Sequence, residues 1–410
     1  MTTPHPAPAA CDVLVVGAGP AGSACARVLA QAGLQVLLVD GQAFPRDKVC
    51  GDGLVPDSHA ALRRLGVLDE VLRAAVSLAD ARCVAPCRQA IDVPGELAVL
   101  PRRVLDAIVC RAAVDAGATM AAPARFVAPL RDDAGRVRGA TLSASGVTRD
   151  VAARWVVLAT GATPTALLAA GMCERRAPSG MALRGYVRHP GLADEVKGMR
   201  FVWHQRLKGG YGWVFPGPDG VFNIGAGVLA SHATPGGSQR RQPRPRNLRA
   251  MFDDFLAVDP IAARLAREGE WLGELKGAPM RFDLDGARWS APGLLVTGEA
   301  AGATYSFTGE GIGKAMETGM AAADSLLAHD ASGDEAVMGD YAARLQSLQP
   351  RFAMYRKAAS FNRAPWLISV VIWRARRSPQ LAAKLGDILN ERRLPGTLLS
   401  WRGLRSVLMP

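Results

Sequence analysis

The first forty residues alternate short apolar runs with a glycine turn. Asp12 to Val16 is an apolar run of strand length, and small and apolar residues follow at helical spacing from about Pro20 to Ala32. A second run, Gln35 to Val39, stops at Asp40, so the opening predicts one βαβ unit of a parallel sheet. Ser58 to Leu72 and Arg103 to Ala116 carry helical periodicity, and Trp155 to Ala159 reads as a short strand ending at Thr160-Gly161. The period then changes. Residues 182–189, 199–205, 211–215 and 221–228 read as strands between Gly, Pro and Asp turn signals, which predicts an inserted antiparallel sheet. Tyr211, Trp213 and Phe215 alternate with Gly212 and Val214, so three aromatic rings share one face of a strand. Helical patterning resumes at Asn247 and at Asp259-Pro260, a cap followed by proline at the first helical position. Leu294 to Thr297 forms another apolar strand, a helix begins near Gly311, and the pattern is helical and basic from Asp334 onward.

These elements predict an α/β chain in two domains with a helical tail. Residues 1–78, 101–170 and 280–330 form the first domain, 79–100 and 171–279 the second, and 331–410 the C-terminal helical region. A chain of 410 residues with 49% hydrophobic content has enough apolar surface for such cores. The formal charge of +12 suits anionic phosphates or a membrane surface, or reflects arginines on solvated faces. Without an aromatic-interleaved basic stripe or zinc-finger spacing, a nucleic-acid partner is not expected. The seven cysteines make neither a metal-ligand pattern nor a regular framework, so no metal is expected, and reduced thiols in a cytoplasmic chain are. The Pro-rich start lacks a secretory pattern, and no segment has the ~20 apolar residues of a membrane span. Residues 231–246, Gly/Pro-rich and basic, read as a mobile surface loop.

Gly17-Ala18-Gly19-Pro20-Ala21-Gly22 is a GxGxxG sequence between a predicted strand and helix. The first glycine permits the tight turn, the second lets a pyrophosphate approach the backbone, and the third allows close helix–strand packing. The helix N-terminus behind them favours negative charge. Asp40, at the end of the next strand, is placed for a ribose 2′-hydroxyl and disfavours a 2′-phosphate there. A second glycine element follows the Leu294 strand: Gly298-Glu299-Ala300-Ala301-Gly302, then Thr308 to Gly313. It sets a carboxylate beside a sugar-like polyol and opens another helix whose N–H groups at Gly311 and Ile312 favour negative charge. Two distant glycine turns on one long cofactor with a tunable ring point to FAD. The first domain is therefore read as a Rossmann-type FAD-binding domain and the inserted sheet as substrate-binding.

With these motifs the sequence resembles the geranylgeranyl reductase family, within the flavoproteins similar to aromatic hydroxylases. The resemblance rests on the GAGPAG start, Phe44 through Leu54 (FPRDKVCGDGL), Tyr211 through Gly227, and Gly298 through Gly313. The third stretch matches the family's YxWxFP followed by GxG, at Tyr211, Trp213, Phe215, Pro216, Gly225 and Gly227. The resemblance implies that Arg46 and the Cys50-Gly51-Asp52 loop lie at the cofactor, with the loop against the isoalloxazine ring. It also implies cofactor contacts for Arg103, through its spacing to Asp106, and for Gly161. The sequence departs at Glu299, where many members have Asp, and at Tyr305-Ser306, where Asn-Pro is common.

The implied activity is saturation of carbon–carbon double bonds in an isoprenoid lipid or quinone tail, with hydride from flavin N5 and NAD(P)H as reductant. With a single fingerprint in the chain, the nicotinamide either visits transiently or yields to another donor. Tyr211, Trp213 and Phe215 would wall an alkyl chain, with Gly225 and Gly227 leaving room for it; the plainer reading is sheet core. Cys50 is the candidate catalytic or proton-handling side chain; the plainer reading is a small residue fitted against the ring. Trp366 to Trp373 with Arg374, Arg376 and Arg377 reads either as a peripheral membrane contact or as a packed helix. The competing functions are an FAD-dependent monooxygenase or halogenase, whose WxWxIP stretch is absent, and a non-catalytic FAD-containing lipid-binding protein.

Overall fold

A computed structural model describes residues 8–229, 247–285 and 287–393. The expected βαβ opening is present as the strand Ala10–Val16, the helix Pro20–Gln31 and the strand Val36–Val39. Val13–Val16 and Val36–Val39 are apolar without alternation because the sheet is covered there on both faces. Their parallel pairing sets Val13 opposite Val36 and Val16 opposite Val39. Thr119–Ala121 extends the sheet on one side, and Val147–Leu158 then Leu294–Val296 on the other, all parallel.

Val147–Leu158 is much longer than the apolar strand the sequence suggests. Its second half lies in the parallel sheet, while its first half pairs antiparallel with Val137–Ala144, which pairs with Arg125–Arg131. This meander escaped the sequence reading because its exposed positions interrupt the apolar pattern. The predicted helix from Ser58 to Leu72 is two helices, Pro56–Arg64 and Leu68–Ala74, broken at Gly66, whose φ of +69° ends the first.

A second sheet joins Gly53–Leu54, Val76–Val84 and Ala90–Val99 to Met199–Val202, Gly210–Pro216, Val221–Val228 and Gly180–Arg188, with Glu270–Trp271 and Lys276–Met280 at its far edge. It is not wholly antiparallel as expected. Met199–Val202 runs parallel to Val76–Val84, since strands so distant in sequence are not bound by a hairpin. The helix Leu248–Val258 covers one face of this sheet, with Phe252 and Phe255 in its core, and Asp259 caps the following helix, Pro260–Glu268, by accepting from the Ala262 amide.

The helix Ile312–His329 crosses the fingerprint helix so closely that a Cβ on Gly319 would stand 2.1 Å from the Ala21 carbonyl oxygen. This contact brings both helix N-termini to the same opening between the sheets. Asp334–Ala358, Ser360–Arg363, Trp366–Ala375 and Pro379–Leu389 form the C-terminal helices. No described helix is long and apolar enough to cross a membrane. The predicted loop 231–246 and residues 394–410 lie outside the described residues.

Candidate functional site

A cleft of about 680 Å³ runs between the two sheets. At one end lies the glycine fingerprint. Gly17 has φ +102°, and a Cβ there would stand 2.4 Å from the Ala159 carbonyl oxygen. At Gly22 a Cβ would meet the Gly17 oxygen at 1.8 Å, so the third glycine serves packing and does not itself line the cleft. Gly19, Pro20, Ala21 and Gly161 do line it.

The guanidinium groups of Arg46 and Arg102 stand over Gly19, 3.6 and 3.8 Å from the position of its missing Cβ. Both are tied down by acids. Arg102 donates to Asp106 at 2.6 and 2.9 Å, and Arg46 bridges Asp106 at 3.0 Å and Asp40 at 3.2 Å. Two fixed cations over a glycine at a helix N-terminus form an anion cradle suited to a pyrophosphate. The expectation for Arg103 needs correcting. Arg103 is exposed and outside the cleft, while its neighbour Arg102 is buried on the cleft wall and makes the ion pair to Asp106. Asp40 accepts from the Ala18 and Gln42 amides and twice from Arg46. Its lone pairs are filled, so a ribose hydroxyl would have to exchange with one of these bonds.

The second glycine element contributes Glu299, Gly311 and Ile312 to the same wall. Burial raises the Glu299 carboxyl, against the charges of Lys48 and Arg102. Gly302 does not line the cleft. It turns the chain at φ +89° against Leu284 and Asp285. Thr160, on the wall, has a buried hydroxyl with no protein partner, as expected of a group awaiting a polar ligand. Cradle, acid and open hydroxyl together fit FAD.

Tyr211, Trp213 and Phe215 face the cleft on the strand Gly210–Pro216, joined by Phe201 from the next strand. Tyr211 and Phe215 meet Phe201 edge-on at 5.7 and 5.0 Å between centroids. The two glycines on the neighbouring strand have different roles, which corrects the expectation for Gly225. A Cβ at Gly225 would lie 2.2 Å from the Trp213 ring, so the space it leaves is already filled by the indole. Gly227 is on the cleft wall, and a Cβ there would meet nothing closer than 3.4 Å.

The loop bearing Cys50 is fixed across the cleft by groups the sequence reading did not single out. Asn223 donates to the Cys50 carbonyl at 2.8 Å and to Asp52 at 2.7 Å, and accepts from the Trp213 indole at 2.9 Å. Tyr186 donates to Asp52 at 2.6 Å. Burial pushes the Asp52 carboxyl up to about 6, although the bonds from Tyr186 and Asn223 and the charge of Arg184 pull it down. Asn223 was detectable in principle, as the polar residue in the apolar strand VFNIGAGV. A Cβ at Gly51 would stand 3.2 Å from the Phe215 ring and 3.7 Å from the Trp213 indole nitrogen, and the Cys50 thiol lies beside Arg102.

Glu310, in the glycine-rich stretch Thr308 to Gly313, also lines the cleft. Burial, helped by the carboxylates of Asp57 and Glu391, pushes its carboxyl up to about 8, so the acid is largely protonated at neutral pH.

Comparison with known proteins accords with this geometry. Residues 10–206 match the FAD binding domain family. A menaquinone reductase of Mycolicibacterium smegmatis is 33% identical over 338 residues, covering 77% of this chain and 76% of that one. Digeranylgeranylglycerophospholipid reductase 2 of Methanopyrus kandleri is 30% identical over 315 residues, 76% of each chain. Among solved structures, a geranylgeranyl bacteriochlorophyll reductase-like protein of Thermoplasma acidophilum superposes with a TM-score of 0.70 at 23% identity, over 98% of this chain and 96% of that one.

Proposed function

We propose, on the premise that this chain belongs to the geranylgeranyl reductase family of FAD-dependent oxidoreductases, that it saturates carbon–carbon double bonds in the isoprenoid part of a membrane lipid or quinone. The observation that carries the reading is the wall of Phe201, Tyr211, Trp213 and Phe215 facing a charged glycine cradle across one cleft. The substrate classes in the relatives' names, a quinone and a prenylated glycerophospholipid, share an alkene-bearing apolar chain that such a wall suits.

Arg102 and Arg46 would hold the cofactor's pyrophosphate, Glu299 would accept from its polyol hydroxyls, and the N–H groups at Gly311 and Ile312 would favour negative charge on its ring. Bound FAD would supply the hydride, from N5, with NAD(P)H as the proposed source of electrons. The aromatic wall lays the alkyl chain along the cleft and keeps water from it. An isolated alkene is a poor electrophile, so positioning is the protein's largest contribution, on the order of 7–11 kcal/mol in favourable cases. Asn223, bonded to the Cys50 carbonyl and to Asp52, would keep the Cys50 loop rigid on the cleft wall.

The test is anaerobic. Purified protein is reduced with dithionite or NAD(P)H and mixed with prenyl quinones and geranylgeranyl lipids while flavin absorbance is followed. The proposal expects re-colouring with formation of a saturated product. Product that forms only with oxygen would transfer the chain to the monooxygenase reading, and no re-colouring with any acceptor would refute the reductase.

A further inference from the structure

Saturating an alkene takes a proton as well as a hydride, and the structure offers a donor other than the Cys50 thiol. We propose that the carboxylic acid of Glu310 gives the proton that completes reduction of the double bond. This rests on the reductase reading above. As the π bond breaks, one carbon takes the hydride, with its electron pair, from the reduced flavin. The other takes the proton of the Glu310 O–H, leaving a carboxylate.

The placement is specific. Glu310 stands on the cleft wall between Gly309 and Gly311, immediately before the helix Ile312–His329. Its carbonyl accepts from the Tyr305 amide at 2.9 Å, which fixes the turn, and the Tyr211 hydroxyl donates to the Thr308 carbonyl two residues away. The acid therefore borders the aromatic wall, where an alkyl chain would lie.

Behind it lies a buried ionic cluster that the FAD cradle does not use. Gly313 carries no side chain, and the Asp57 carboxylate fills that space, 2.4 Å from where a Cβ would stand. Lys314, 2% exposed, is 3.5 Å from Asp57, 2.9 Å from Glu317 and 3.4 Å from Glu391. Glu391 also pairs with Arg351 at 3.1 Å. Burial works against the Lys314 charge, but Asp57, Tyr305, Glu317 and Glu391 outweigh it and keep the ammonium protonated. Asp57, Glu317 and Glu391 thus share Lys314 and Arg351 in low dielectric, and a further negative charge at Glu310 is disfavoured by Asp57 and Glu391. Tyr211, Tyr305 and Tyr355, which lie within electrostatic reach of Glu310, are all raised by burial and remain neutral. Glu317, with its side chain 40% exposed, is the member of this cluster that reaches solvent.

The sign of the pH effect follows. Donation needs the protonated acid, so substrate-driven flavin reoxidation should be fast below about 8 and fall as pH rises through that value. Glu310→Gln should slow this half-reaction about 10²–10⁴-fold, the usual range for losing a general acid. Flavin reduction should be unchanged, and Glu310→Asp should restore part of the rate. Glu391→Gln removes a like charge and should move the midpoint to lower pH. A readout independent of turnover is infrared titration: the wild type should show a protonated carboxyl band at neutral pH that is lost on alkalinisation and missing from Glu310→Gln.

A wild-type rate in Glu310→Gln, or the absence of that band at neutral pH, overturns the assignment. So does a full loss of reoxidation in Cys50→Ala with Glu310→Gln unaffected, which would make the thiol the donor. Wild-type protein that no prenyl acceptor reoxidises sinks the reductase reading and the donor role with it, and is recognised because the failure precedes any substitution.

Discussion

Both oxygens of Asp106 are gripped by the Arg102 guanidinium, at 2.6 and 2.9 Å, so that planar fork is fixed before any phosphate arrives. Charge-assisted hydrogen bonds contribute about 1.5–3 kcal/mol each, which corresponds to roughly 10–100-fold in Kd. Arg102→Ala should therefore weaken FAD binding by about that factor, measured by fluorescence titration of apoprotein, while Arg103→Ala leaves it unchanged. The reverse order would put the pyrophosphate elsewhere. The contrast between the two arginines marks a limit of reading the sequence. Arg-Arg at the start of a helix is visible, but successive residues differ by about 100° around the axis, and only the packing decides which faces inward. The i,i+4 spacing of Arg102 to Asp106 was the available signal, and the i,i+3 spacing from Arg103 was the misleading one. Glu310 was hidden for a different reason. A carboxylate in a glycine-rich turn looks solvated until the structure supplies Asp57, Glu391 and the aromatic wall around it.

At the scale of the strand pair, alternation alone put Tyr211, Trp213 and Phe215 on one face, because side chains alternate along any strand. Register was not legible. It sets Trp213 directly opposite Gly225 and Tyr211 opposite Gly227, giving each glycine a different neighbour. Two otherwise similar substitutions should then diverge. Gly225→Ala drives a methyl group into the Trp213 ring and to 2.5 Å from the Leu183 carbonyl oxygen, a backbone atom with little freedom to yield. Overpacking of this kind costs about 1–3 kcal/mol, read as a lower denaturant midpoint. Gly227→Ala meets only ordinary contacts and should keep wild-type stability, but its methyl group narrows the cleft and should raise KM for prenyl substrates. Equal stability losses in both variants would mean that Gly227 also packs as core.

For the whole molecule, the parallel sheet and its fingerprint were legible because their signals are local: apolar runs, glycines and an acid at a strand end. What long-range packing decides was not, including the meander over 125–152, the parallel joint within the second sheet and the convergence of two helix N-termini on one cleft. The helix Trp366–Ala375, read from the sequence either as a peripheral membrane contact or as a packed helix, has one packed side and one exposed side. It buries Ile368 and Ile372 in the same apolar cluster as Tyr211, Trp213 and Phe215, yet leaves Trp366 57% and Trp373 43% exposed. The two tryptophans are seven residues apart, two helical turns, and therefore lie on one face, with Arg376 and Arg377 exposed beyond them. On a chain of net charge +12, that face suits an anionic bilayer and lies over the cluster that also walls the cleft, so we propose that it docks where lipid substrate enters. Replacing both Trp366 and Trp373 with Ser should lower co-sedimentation with phosphatidylglycerol vesicles about tenfold, since binding scales with the apolar area inserted. Wild-type binding to neutral vesicles should be weaker and little affected by salt, whereas binding to anionic ones should fall as ionic strength rises. Turnover of a short, water-soluble prenyl substrate should be the same in the double variant as in the wild type, because such a molecule does not enter from a bilayer. If vesicle binding survives the double substitution, the docking face is elsewhere on the molecule.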